Sequence, residues 1–162
     1  MSLLGVLSNA NNTLKSPYEM EYHQASESLY ISDYTNYRIM HYKLGASSGT
    51  MVAGTGVSGK NYTRLTNPVG VYFESLSNSL IIANHTAHNI VRWPLGATNW
   101  TLVAGDINGT PGIDSKTLSY PTVITLDPMG NLYVADRNNH RIQLFMNGQL
   151  EGITIAGVVN TT

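Results

Sequence analysis

Three stretches of 28 residues align without a gap in this 162-residue chain. They are LYISDYTNYRIMHYKLGASSGTMVAGTG from Leu29, LIIANHTAHNIVRWPLGATNWTLVAGDI from Leu80 and LYVADRNNHRIQLFMNGQLEGITIAGVV from Leu132. Ahead of each lies a second recurring piece, in which a leucine precedes a proline: Leu14/Pro17, Leu65/Pro68 and Leu118/Pro121. A repeat of this length is a supersecondary unit that cannot bury its apolar face alone. The copies must therefore stack on one another.

Each copy reads as four short strands. The first follows the proline (VGVYF, TVITL and the weaker YEMEY); the second is LYIS, LIIA or LYVA. RIMHY, NIVRW and RIQLF form the third, and TMVAG, TLVAG and ITIAG the fourth. Between them stand turn residues suited to positive φ, at Gly45, Gly96, Gly148 and Asn131. No window carries a sustained helical period. Four-stranded units at this spacing predict an all-β fold, a β-propeller whose blades pack face to face. The predicted blades cover residues 14–57, 65–107 and 118–158, with 3–8 as the last strand of a preceding blade.

The pattern of strand, Asp, polar turn, Arg-Ile, strand and a final Val-Ala-Gly resembles the NHL repeat, and NNHRI at Asn138 to Ile142 is close to the string that names that family. The third copy matches best. The second departs, with NHTAHNI where the family carries Asp and Arg. The resemblance implies a β-propeller, commonly of six blades. Three such blades in this chain make either a partial ring or half of a ring closed by a homodimer.

Comparing the copies separates architecture from function. Asp33 and Arg38 stand in register with Asp136 and Arg141, while the middle copy changes both together, to Asn84 and Asn89. A charge needed for catalysis belongs in one place, whereas a hairpin brace recurs. Losing one partner of such a pair leaves the other's charge unpaired, but two amides can still hydrogen-bond. These six residues are therefore read as a structural brace.

Other functional readings weaken on inspection. Cysteine is absent, which excludes thiolate metal sites and a Cys nucleophile. No nucleophile elbow, phosphate-binding loop or HExxH string occurs. His88 and His140 align with Tyr37, and the expectation is surface imidazoles on turns rather than metal ligands. DINGTPGID, Asp106 to Asp114, lacks the ligand spacing of a calcium loop and is read as a connector. Glu19 and Glu21 share one strand face, either as an acidic spot or as the mark of a degenerate end blade. No metal and no cofactor is expected.

With 9 Lys plus Arg against 10 Asp plus Glu, nothing pulls the chain towards nucleic acid. The expected function is a non-enzymatic binding or scaffold module for a protein or glycan partner, acting through rim loops. Candidate contacts are Tyr34, Tyr37, His85, His88, Arg137 and His140 at the hairpin turns. Trp100 joins them as an exposed aromatic whose counterparts are not aromatic. The resemblance also implies an alternative, part of a metal-dependent lyase or lactonase with its site shared with other blades, and a weaker one, an RNA-binding domain. No run is long and apolar enough for a membrane span, and MSLLGVLSNANN makes a poor signal peptide. Asn-X-Thr occurs at Asn11, Asn61, Asn84, Asn99, Asn108 and Asn160, which favours an extracellular, glycosylated setting.

Overall fold

Residues 11–157 are described in a computed structural model of the chain. The first blade holds β1 (Pro17–His23), β2 (Ser28–Asp33), β3 (Arg38–Lys43) and β4 (Thr50–Gly54). The second holds β5 (Pro68–Glu74), β6 (Ser79–Asn84), β7 (Asn89–Pro94) and β8 (Thr101–Gly105). The third holds β9 (Pro121–Leu126), β10 (Leu132–Asp136), β11 (Arg141–Phe145) and β12 (Gly152–Ala156). Each blade is a four-stranded antiparallel meander in chain order. The first strands β1, β5 and β9 touch in sequence, so they lie innermost. Three blades leave the ring open. The predicted strand at 3–8 lies outside the described residues.

Strand periodicity explains how one sequence face finds the next blade. Alternate side chains point to opposite faces. In β6, Leu80 and Ile82 pack with Tyr30, Ile39 and Ala53 of the first blade. Ile81 and Ala83 pack instead with Ile124, Leu132, Val134 and Phe145 of the third. A strand covered on both sides must be apolar throughout, and SLIIAN is buried along its whole length. In β10, at the end of the array, burial alternates between full and partial.

The hairpin between the second and third strands is the same in every blade. A single 3-10 turn ends at Tyr37, His88 or His140, each left-handed with φ of 52, 56 and 52°. Left-handed backbone is uncommon for residues other than glycine, and the recurring conformation is imposed by the hairpin. A second left-handed residue precedes each inner strand: Ser16, Asn67 and Tyr120, before Pro17, Pro68 and Pro121. The glycines expected at positive φ adopt it: Gly45, Gly96 and Gly148. Asn131 does not; Gly130 takes that conformation. The Asn131 side chain is used otherwise, donating to Asp127 Oδ2 and accepting from the Asn147 N–H.

Candidate functional site

Arg38 Nε donates to Asp33 Oδ2 at 2.7 Å and Arg141 Nε to Asp136 Oδ2 at 2.8 Å, with all four side chains buried. In the middle blade Asn84 Nδ2 donates to Asn89 Oδ1 at 3.2 Å. The other oxygen of Asp33 and Asp136, and the amide oxygen of Asn84, tie down the linker before each inner strand. The backbone N–H groups of Lys15, Thr66 and Ser119 donate to Asp33, Asn84 and Asp136 respectively. Arg141 also donates to the carbonyls of Ile113, Asp114 and Thr117 in the inter-blade connector. These side chains hold hairpin, linker and connector together.

Beside this framework, the hairpin turns and the starts of the inner strands share one rim, since Pro17, Pro68 and Pro121 pair with residues 33, 84 and 136. A row of rings crosses all three blades there. Tyr18 lies 5.1 Å from Tyr34, Tyr34 6.4 Å from His85, and His85 5.1 Å from Tyr120. Tyr120 meets His88 edge to face at 4.4 Å. Tyr18 is exposed, Tyr34 and Tyr120 are half-buried, and both histidines are buried.

Hydrogen bonds fix the two imidazoles in opposite tautomers. His85 Nδ1 meets the Pro121 carbonyl at 2.9 Å and must carry a proton. His88 Nδ1 accepts from the Tyr120 N–H at 3.1 Å, so its proton sits on Nε2. Burial holds His88 below the usual imidazole range, helped by the charges of Lys60 and His85 and opposed by Asp136. The pair therefore staples the second blade's hairpin to the start of β9 and sets Tyr120 in the row.

Of the residues expected at the site, Tyr34, His85 and His88 come together. The expectation of surface imidazoles is corrected for His88, which is buried between blades, whereas His140 is exposed. Tyr37, Arg137 and His140 share the rim without joining the row. Trp100 is also corrected: it is 2% exposed, donates through Nε1 to the Arg64 carbonyl and packs on Tyr62. Asn84 is buried and fully engaged, which removes it as a folded-state glycan acceptor. Asn11, Asn61, Asn99 and Asn108 are exposed, and Asn160 lies outside the described residues.

Sequence reasoning missed Tyr18 and Tyr120. Their signal was adjacency to the prolines that open the inner strands, at positions treated as linker or degenerate strand.

Carboxylates do not converge. Asp106 accepts from the backbone of Asn108 and Thr110, and Asp114 from Lys116 and Thr117, each within its own turn. Among the described residues no group of three or more His, Cys, Asp or Glu could hold a metal ion. Glu19 reaches from β1 towards Gly70, where a side chain on residue 70 would meet Thr122 O and Glu19 Oε2. Glu19 Oε2 is buried without a hydrogen-bond partner, and burial raises the carboxyl above its ordinary range against a bond from the Val71 N–H.

Residues 118–145, from the linker before β9 to the end of β11, match the NHL repeat. The third blade thus carries an NHL repeat, and the chain as a whole is built of three four-stranded propeller blades. No curated protein matches the sequence. Among solved structures, an auxiliary nutrient binding protein from Bacteroides thetaiotaomicron is similar at 18% identity and a TM-score of 0.63, over 77% of this chain and 36% of its own. A gluconolactonase from Xanthomonas campestris is 12% identical with a TM-score of 0.68, over 91% of this chain and 50% of its own. A nidogen/laminin complex gives 16% and 0.59, over 86% and 46%. At these identities the likeness is one of fold alone. The chain spans no more than half the length of any of the three. No helix among the described residues is long and apolar enough to cross a membrane.

Proposed function

We propose that this chain is a binding module that holds a protein or glycan partner on the rim carrying Tyr18, Tyr34 and Tyr120. The carrying observation is the continuous row of rings across three blades, exposed at its Tyr18 end. Tyrosine offers a large, stiff contact surface with a polar tip, suited both to protein hot spots and to stacking against sugar faces. The row is set on hairpins that the buried Asp–Arg and Asn–Asn pairs hold rigid, which limits the entropy lost on binding. The blades that complete the ring come from a second copy or from further repeats.

Binding of the labelled protein to a glycan array and to a panel of immobilised extracellular proteins tests this reading. The double variant Tyr18→Ala/Tyr34→Ala, with unchanged β-sheet circular dichroism, should lose the signal. Equal binding by the variant overturns the assignment to this rim.

Glu19 favours a second reading, a share in a metal-dependent propeller enzyme. Its half-buried carboxyl lies on the innermost strand and keeps one oxygen unpartnered. Stoichiometric divalent metal in the purified protein, lost in Glu19→Gln, would favour that reading over the binding module.

A further inference from the structure

The repeat provides its own control for how tightly two blades close, and the two junctions differ. Between the first and second blades the space near the rim opposite the aromatic row is filled by rings. Tyr30 stacks on Phe73 with centroids 5.1 Å apart and 19° between planes, and Tyr30 also meets His41 at 5.1 Å. Trp93 is buried there and Leu95 packs against the same cluster. In register at the next junction stand Ile81 for Tyr30, Leu126 for Phe73, Phe145 for Trp93 and Asn147 for Leu95. Two rings and a leucine have become two aliphatic side chains and an amide.

The vacated space is a cleft of about 270 Å³ whose floor includes Ile81, Leu132 and Phe145, and whose mouth carries Arg92, Asn147 and Gly148. The three floor residues are almost fully buried. Ligand sites begin at about 300 Å³, so this volume suits a compact molecule. Arg92 sets the polarity of its recognition. Both terminal nitrogens of the guanidinium bond Glu74, and Nη1 also bonds Ser77. Its charge is thereby neutralised, and an anion entering beside Glu74 would meet a second carboxylate. What remains for a ligand is the Nε–H and one Nη2–H of the ion-paired guanidinium, beside an apolar floor.

We infer that the cleft between the second and third blades binds a small uncharged ligand with an apolar ring or branched body and one oxygen acceptor directed at Arg92. The site lies on the rim opposite the tyrosine row and stands independently of any partner held there. An apolar body displaces water from the floor, and the acceptor takes a hydrogen bond from the ion-paired guanidinium at the mouth.

Phenylacetamide is the probe, with phenylacetate as its charged counterpart. Saturation-transfer NMR should show contact with phenylacetamide at millimolar concentration and at least about tenfold weaker binding of phenylacetate. The variant Ile81→Tyr/Leu126→Phe restores the residues found at the first junction and fills the cleft, so it should abolish the transfer. Amide shift mapping on the unaltered protein, independent of how the variant folds, should place the changes at Phe145, Asn147 and Gly148. No transfer to phenylacetamide, shifts located elsewhere, or undiminished binding by the folded filled variant would overturn the inference.

Discussion

Asn84 donates to Asn89 across the second hairpin at 3.2 Å, in the place where Asp136 and Arg141 form a buried ion pair in the third. One backbone geometry thus accepts either a charged pair or an amide pair, but the two are not interchangeable one residue at a time. Removing one member of a buried pair leaves an uncompensated charge, at a cost of about 3–5 kcal/mol. Asp136→Asn and Arg141→Asn should each destabilise the protein by about that much. The double variant, which copies the second blade, should cost less than the sum. Chemical denaturation of the three variants gives the coupling, and strict additivity would refute a mutual brace.

Trp100 closes the core beneath the connector, with its ring on Tyr62 and its Nε1–H on the Arg64 carbonyl. Trp100→Ala should lower stability by about 3–5 kcal/mol through the cavity and the lost bond. It should leave partner binding per folded molecule unchanged. Thermal unfolding and a binding titration on the folded fraction separate the two effects.

Protonation of His88 removes the acceptor that holds the Tyr120 N–H. Its folded pKa lies below the ordinary value of 6.5, because burial disfavours the imidazolium. The unfolded chain therefore binds the proton first. The stabilisation from neutral His88 is complete above the unfolded pKa and is lost as pH falls through the folded one. Denaturation midpoints measured downward from neutral pH should fall in that window, and His88→Gln should flatten this part of the profile.

Glu19 has the opposite sign. Burial raises its folded pKa above 4.5, with a further push from Glu21. Here the folded state holds the proton longer, so the contribution is full below the unfolded pKa and is lost as pH rises through the folded one. Glu19→Gln should be more stable than the parent at neutral pH and equal to it in acid. Paired denaturation curves at the two pH values check this.

The blades were legible because a strand's alternation and a turn's glycine are local signals, repeated three times. LIIA could be assigned as strand without knowing its neighbours, and its unbroken apolarity becomes intelligible once it is seen covered on both faces. The rim row was only partly legible. Tyr34, His85 and His88 sit on hairpins that the repeat picks out, but Tyr18 and Tyr120 join them through blade packing, which no single repeat encodes. Trp100 misled for a related reason. Its counterparts Gly49 and Gly152 are not exposed but buried, each with no room for a Cβ beside the ring of Tyr42 or Phe145. The absence of an aromatic there reflects crowding, so position 100 was never a surface position.

Partner contact at the tyrosine rim is the central proposal. The direct measurement compares partner affinity in two folded double variants, Tyr18→Ala/Tyr34→Ala on that rim and Leu76→Ala/Met129→Ala on the opposite one, where both side chains are well exposed. The first should weaken binding by at least about 2 kcal/mol, the scale of a hot spot, and the second should leave it unchanged. Loss of affinity confined to the Leu76/Met129 variant would contradict the account.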